Sequence, residues 1–161
     1  MLRDLIALPD ESKVWIYQAN RPLTYDEIDQ VRPLLYEFAD AWNSHGQVVQ
    51  AYANIFHMQF IVLVADESNL GVSGCSIDSS VNLIRSIENL IGIDCFDRHI
   101  YTYFDGEDIK QVHHNDFKAA YDNQSISADT LVFDNLVDSK EKFLRQWIKP
   151  IKDSWHQMFV N

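Results

Sequence analysis

The chain has 161 residues, 47% of them apolar, and a formal net charge of -11 from 24 acidic and 13 basic side chains. That length and apolar content suit one globular domain, residues 1–161, and exclude a disordered chain. The acidic excess, with no Lys/Arg cluster to interrupt it, repels phosphate backbones and anionic lipid, so neither nucleic acid nor a membrane is an expected partner.

Residues 1–12 read as an arm or short helix closed by a turn at Pro9-Asp10-Glu11-Ser12. Val14-Trp15-Ile16-Tyr17-Gln18 is β-branched and aromatic, which predicts a first strand. Thr24 and Glu27 have capping-box spacing, and Ile28, Val31, Leu35, Phe38 and Trp42 recur at three- and four-residue steps. A helix is therefore expected there, bent at Pro33 and ended by Gly46 in the left-handed C′ position. Residues 48–56 and 60–65 predict two strands in a hairpin about His57-Met58-Gln59.

The run Phe60-Ile61-Val62-Leu63-Val64-Ala65 is unbroken in its apolar character, the pattern of a strand buried on both faces. Asp66-Glu67-Ser68 and the small residues Gly71-Val72-Ser73-Gly74-Cys75 follow it. A helix then starts within residues 76–79, carries Ile77, Val81, Ile84, Ile87 and Ile91 on one face, and stops at Gly92. Residues 100–104 and 109–113 predict a hairpin about Asp105-Gly106, with a short helix over 116–122 and a strand over 130–133. Asp138 and Glu141 have capping-box spacing and predict a last helix with an apolar face of Leu144, Ile148, Ile151, Trp155 and Phe159, broken inside by Pro150. The order β-α-β-β-α-β-β-(α)-β-α implies an α+β fold, a mostly antiparallel sheet with two or three long helices packed on one face. Its opening β-α-β-β-α-β is the pattern of a ferredoxin-like half.

Two cysteines, Cys75 and Cys95, and an N-terminal stretch too interrupted for a signal peptide predict a reduced, cytoplasmic protein. The longest apolar runs are of strand length, so no membrane span is expected.

A loop that leaves a buried strand and feeds a helix N-terminus is where α/β-type proteins often hold ligands. The candidate ligand-binding residues are accordingly Gly71, Ser73, Gly74, Cys75, Ser76 and Asp78, with Asp66 and Glu67 at the strand exit. Cys75 is the candidate catalytic residue, because a helix N-terminus favours a thiolate. It needs a histidine base, and His45, His57, His99, His113, His114 and His156 are all open choices. The plain structural reading makes Cys75 a small buried residue, with Ser73, Ser76 and Asp78 as caps and turn formers. Cys95, beside Asp94 and Phe96, is the expected slower thiol. The glycines at 71 and 74 leave room for a small anion on backbone amides. No lysine or arginine stands in the loop and no phosphate-loop motif exists, so a nucleotide is not expected.

Asp66, Glu67 and Asp78 could share acid and base roles or hold a cation, but such residues also serve as ordinary turn formers. His113-His114-x-Asp116 is the tightest set of potential metal ligands, yet neighbours on a strand point to opposite faces. No metal and no cofactor are expected.

The runs Val14-Trp15-Ile16-Tyr17-Gln18-Ala19-Asn20-Arg21-Pro22, Ala41-Trp42-Asn43-Ser44-His45-Gly46, Asp66-Glu67-Ser68 and Ser73-Gly74-Cys75-Ser76-Ile77-Asp78-Ser79-Ser80 resemble a family of small, uncharacterised bacterial proteins that carry the label ABC transporter ATPase. The resemblance spans most of the first 100 residues and implies no established activity. The label requires a phosphate-binding lysine loop that this chain lacks, so no catalytic residue follows from it. The expectation is a domain that binds a small ligand or a protein partner at Gly71–Ser80. The alternatives are a Cys75-dependent acyl- or group-transfer enzyme and a structural homodimer subunit.

Overall fold

The unbroken apolar run at residues 60–65 is explained by what lies on its two sides. In the computed structural model, which describes residues 1–68 and 74–161 (backbone only at 74–77), β5 (Phe60–Asp66) is the central strand of a three-stranded sheet. It pairs antiparallel with β1 (Lys13–Gln18) on one side and with β4 (Gln50–Phe56) on the other. Ile61, Leu63 and Ala65 face one apolar core, while Phe60, Val62 and Val64 face a second. Alternate residues of a strand point to opposite faces, so two covered faces demand an apolar residue at every position. Burying each of the five larger side chains, Phe60 to Val64, contributes about 1.5–3 kcal/mol, which makes this strand the anchor of the fold.

The first core lies under two long helices, α1 (Tyr25–Ala41) and α2 (Gly74–Ile91). The capping box forms as expected: the Glu27 N–H donates to Thr24 Oγ1 at 3.2 Å and the Thr24 N–H to Glu27 Oε1 at 2.9 Å. Ile28, Val31, Leu35 and Ala39 are the buried stripe, and α1 continues through Pro33. Arg21 ties this layer to the end of β1. Its guanidinium pairs both oxygens of Glu27 at 2.8 and 2.7 Å and donates to the Ile91 carbonyl at 2.8 Å. Those hydrogen bonds, with one from Thr24, hold the Glu27 carboxyl down at about 2.

β1 and β4 both run antiparallel to the strand between them, so they are parallel to each other with α1 connecting them. That is the strand order of a ferredoxin-like half. The correspondence ends at β6 (Ile100–Asp105), which enters a second sheet of order β7-β6-β8-β9. The other members are β7 (Asp108–His113), β8 (Leu131–Phe133) and β9 (Ile148–Pro150), all antiparallel to their neighbours. The α+β class holds, with all but two short strands divided between two antiparallel sheets packed face to face.

The second core fills the space between the sheets and is dominated by aromatics. Phe60 lies 4.7 Å from Phe133 and 5.0 Å from Trp147 between ring centroids, and Phe143 lies 4.9 Å from Trp147. A third core covers the far face, where Tyr101, Tyr103 and Val132 meet Phe117 of α3 (His114–Asp122) and Ile151. The layers therefore run helices, sheet, sheet, helix and 3-10 turns.

Two expectations need correction. The long last helix does not form. α4 (Lys140–Gln146) is capped by Ser139 and ends before Trp147; residues 148–150 become a strand, and two 3-10 turns follow. Pro150 has no N–H to continue a helix, and β8 offers residues 148–150 a sheet edge instead. Leu144, counted on the apolar face, is 56% exposed. The second correction is Gly46. It adopts a positive φ of 78° beside His45 at 52°, but as the turn between β2 (Asn43–Ser44) and β3 (Gln47–Val48), not as a helix cap. Both central residues at positive φ make a tight hairpin turn.

Candidate functional site

The edge of β1 away from β5 opens into a cleft of about 370 Å³, lined by residues 13–17, Glu67 and residues 135–138. Its origin can be followed residue by residue. The Val14 N–H donates to the Asp138 carbonyl at 3.0 Å, and the Lys140 N–H donates to the Ser12 carbonyl at 2.9 Å. Around the antiparallel bridge Lys13–Ser139, the chain thus starts a strand beside β1. It does not continue. Residues 135–137 swing away toward the second sheet, where the Asp134 N–H donates to the Trp147 carbonyl at 2.7 Å and Trp147 Nε1–H to Asn135 Oδ1 at 2.9 Å.

Because Val14 points its backbone groups outward, strand alternation sends those of Ile16 the same way, and Lys13, Trp15 and Tyr17 bond to β5. Among the described residues none supplies a partner to the Ile16 N–H or C=O. Side chains alternate across the same strand. Ile16 joins the core between the sheets, whereas Trp15 and Tyr17 pack on the helix side.

The far end of the cleft is closed by polar side chains. The Gln18 side-chain carbonyl accepts from Thr102 Oγ1–H and from Asn135 Nδ2 at 3.2 Å, and Gln18 Nε2 donates to the Ile100 carbonyl at 3.1 Å. Gln111 joins them through Thr102 and through the Ala19 carbonyl at 2.8 Å. This network fixes the second sheet to the end of β1. Leu136 stands on the rim, 73% exposed. Charge gathers at the other end, with Lys13, Glu67 and Asp138. Burial pushes the Glu67 carboxyl up, and Lys13 opposes that shift.

The residues expected to form the site from sequence divide into three groups. Gly71 and Ser73 lie outside the described residues. Gly74, Cys75 and Ser76 form the first turn of α2, and the side chains of Cys75 and Ser76 lie outside the described set. Asp66, Glu67 and Asp78 are described, and each does something different. Asp66 Oδ1 accepts from the Ser68 N–H at 3.0 Å as a turn former, Glu67 lines the cleft, and Asp78 is exposed. Two residues past Asp78, Ser80 is buried and its Oγ bonds the Tyr17 hydroxyl at 3.0 Å, which links α2 to β1. Burial raises the Tyr17 pKa and that bond opposes the rise.

Cys95 is buried, and burial together with Glu88 and Asp94 pushes its thiol up to about 12, so it is fully protonated at neutral pH. The histidines are scattered. His57, whose pKa burial lowers, packs among Phe60, Phe104, Phe133 and Trp147. His156 is 1% exposed and held at Nδ1 by Ser154 Oγ at 2.6 Å.

His113 and His114 do not point to opposite faces, because the chain turns from β7 into α3 between them. Their ring centroids are 4.2 Å apart, and His99 lies 5.2 Å from His114. His113 Nδ1 accepts the Asn115 N–H at 3.3 Å, whereas His114 Nδ1 is buried without a hydrogen-bond partner among the described residues. Among the described residues no group of three or more His, Cys, Asp or Glu is arranged to hold a metal ion.

Sequence reasoning misses residues 135–138 as a site and reads Asp138 only as the cap of the last helix, a role that Ser139 takes instead. The available signal was Leu136, a large apolar residue between Asn135 and Val137 in a loop too polar to bury it. Compared with models of protein families, with curated proteins and with solved structures, the chain finds no match in any of the three.

Proposed function

We propose that the domain is a binding module whose ligand, a small molecule or a segment of another protein, occupies the cleft between β1 and residues 135–138. One observation carries this reading: a strand edge with an outward N–H and C=O at Ile16 opens into a walled space of about 370 Å³. Ligand pockets begin at about 300 Å³ and combine apolar walls with a few fixed polar groups. Val14, Ile16, Leu136 and Val137 supply the walls; the Ile16 backbone, Asn135 and Glu67 supply the polar groups. The cleft starts from the strand exit at Glu67, so it adjoins the strand-loop-helix stretch singled out by sequence. The resemblance to small bacterial proteins described above adds no activity to this reading. The buried free thiol of Cys95 and the absence of any helix, among the described residues, long and apolar enough to cross a membrane suit a protein of the reducing cytoplasm.

The test is a fragment screen followed by amide chemical shifts. Hits should perturb residues 13–17, 67 and 135–138 together. Leu136→Trp, which fills the cleft from an exposed position, should weaken them at least tenfold. Hits that cluster elsewhere and ignore Leu136→Trp would overturn the assignment.

A further inference from the structure

Resting on the reading of the cleft as the binding site, we propose that its occupant is an extended peptide segment that adds to β1 as an antiparallel strand, with an apolar residue opposite Ile16. The pairing has already begun within the chain. The bridge between Lys13 and Ser139 is antiparallel and uses the Val14 N–H and the Ser12 C=O, so the next outward residue, Ile16, is the next position of the same ladder. An antiparallel neighbour at that position exchanges both N–H···O bonds with a single residue. A peptide backbone supplies that complementary donor and acceptor wherever it is extended, whatever its side chains.

The slot is bounded, which suits a short segment and not open-ended stacking of edges. At one end Asp138 bonds to Val14 of β1 and Lys140 to Ser12 just before it, and beyond the other end the Asn20 N–H donates to the Asp94 carbonyl at 2.9 Å. The lining from Lys13 to Tyr17 spans four residue steps, about 13 Å, room for about four or five extended residues.

Side-chain preference follows from the pleat. A residue directly opposite Ile16 projects to the same face as Ile16, toward the core between the sheets, where Val137 and Leu136 form the wall. Its neighbours project to the helix side. There Glu67 stands with Lys13 on a chain of net charge -11, so basic residues are favoured at these flanking positions.

The experiment selects binders from a phage-displayed library of random heptapeptides on the whole protein. A selected peptide is then synthesised, acetylated and amidated, and scanned by single N-methylation against the unaltered protein. N-methylation removes one backbone donor at a time, so strand addition predicts a period of two. Alternate positions should lose at least tenfold in affinity and intervening ones less than threefold. Ile16→Pro, which removes the outward N–H of an edge residue, should cost at least tenfold, and Ile16→Val less than threefold.

Peptide binding that perturbs residues 13–17 and 135–138 but shows no period-two sensitivity would overturn strand addition and leave the cleft reading standing. Fragment binding in the cleft without any peptide selected would do the same. A β1 edge occupied by a second copy, seen as a concentration-dependent dimer that Ile16→Pro dissolves and no peptide displaces, would overturn the peptide as occupant. Absence of any cleft response to fragments and peptides alike would remove both readings.

Discussion

The two outer edges of the first sheet begin alike and end differently. At β4 the residue Ala51 bonds outward to the first residues of the chain: its N–H donates to the Met1 carbonyl at 3.0 Å and its carbonyl accepts from Arg3 at 2.8 Å. At β1 Val14 bonds outward to Asp138 at 3.0 Å. Two residues on, the edges diverge. The outward N–H of Ala53 on β4 also has no partner among the described residues, but Ala53 is fully buried, and the outward N–H after it, that of Ile55, is taken by the Asn54 side chain at 2.8 Å, itself held by Arg32 from α1. Ile16 of β1 is half-buried and faces a cleft. Its neighbours Trp15 and Tyr17 are aromatic and turned to the helix side, so neither can plug the edge as Asn54 does. An unpaired edge is a liability that folds usually cover. A sheet that covers one edge and leaves a short walled gap in the other has a place for a partner strand.

The largest effect expected from this contrast comes from proline placed in alternate phases of β1. Trp15 pairs inward with Leu63, so Trp15→Pro removes a ladder bond and a packed ring and should cost at least about 3 kcal/mol. Ile16→Pro removes an outward donor with no partner among the described residues and should cost no more than about 2 kcal/mol, mostly from lost packing. Urea denaturation of the two variants measures this directly. Equal costs would mean that the phase of the edge is wrong.

A second test loads the strap 135–138 from its far anchor. Asp134, which starts it, accepts from Lys149 Nζ at 2.7 Å and from Trp155 Nε1 at 2.8 Å, and His156 is buried beside this cluster. Burial, with a smaller effect of Lys149, lowers the His156 pKa from 6.5 to about 4, against the pull of Asp134. Below pH 6.5 the unfolded chain takes up a proton that the folded chain refuses, so stability falls as pH drops toward 4. The loss reaches about 3 kcal/mol at most, from about 1.4 kcal/mol per pH unit. His156→Gln should flatten that part of the profile. A wild-type profile level from pH 7 to 4.5 would show that the imidazole is not shut in.

How much of this arrangement was legible beforehand follows from the range of the interactions involved. The unbroken run at 60–65, the hairpin turns at 57–59 and about Gly106, and the Thr24–Glu27 box are local, and each formed where its residues stand. The division into two sheets was not legible. Nothing in residues 100–104 tells β6 to pair with β8 and leave the edge of β1 open. The stripe Leu144, Ile148, Ile151, Trp155, Phe159 fits a helix by spacing, and only the edge of β8 decides otherwise. The cleft combines residues 13–17 with residues 135–138, more than a hundred positions apart in the chain, so no local pattern announces it. Glu67 is where the two readings of the site meet.

Lys140 tests the closed end of the β1 edge with a smaller expected effect. Its side chain is buried, and Nζ donates to the Leu8 carbonyl at 2.6 Å, with Ile6 O at 3.4 Å. Lys140→Met keeps the length of the side chain and leaves those carbonyls without their donor, a cost of about 1–3 kcal/mol. If the strand begun at Ser139 depends on that anchor, the Val14 amide should exchange faster in the variant. Unchanged exchange would show that Asp138 holds β1 by itself.

The smallest effect is also the most direct reading of the edge. Hydrogen exchange at pH 7 reports which amides are bonded in the folded protein, residue by residue. Val14 and Ile16 lie two residues apart on one strand and point the same way, but Val14 is buried and donates to Asp138, whereas Ile16 is half-buried and donates to nothing among the described residues. Ala51 is the matching control on the other edge, bonded to Met1. Local opening should therefore be unnecessary for exchange at Ile16, and its amide should exchange at least tenfold faster than those of Val14, Trp15 and Ala51. Bound peptide should slow Ile16 toward its neighbours and leave Ala51 unchanged, because only one of the two edges has room. Equal, slow exchange at Ile16 in the free protein would mean that its N–H is already paired, and the gap on which the contrast rests would not exist.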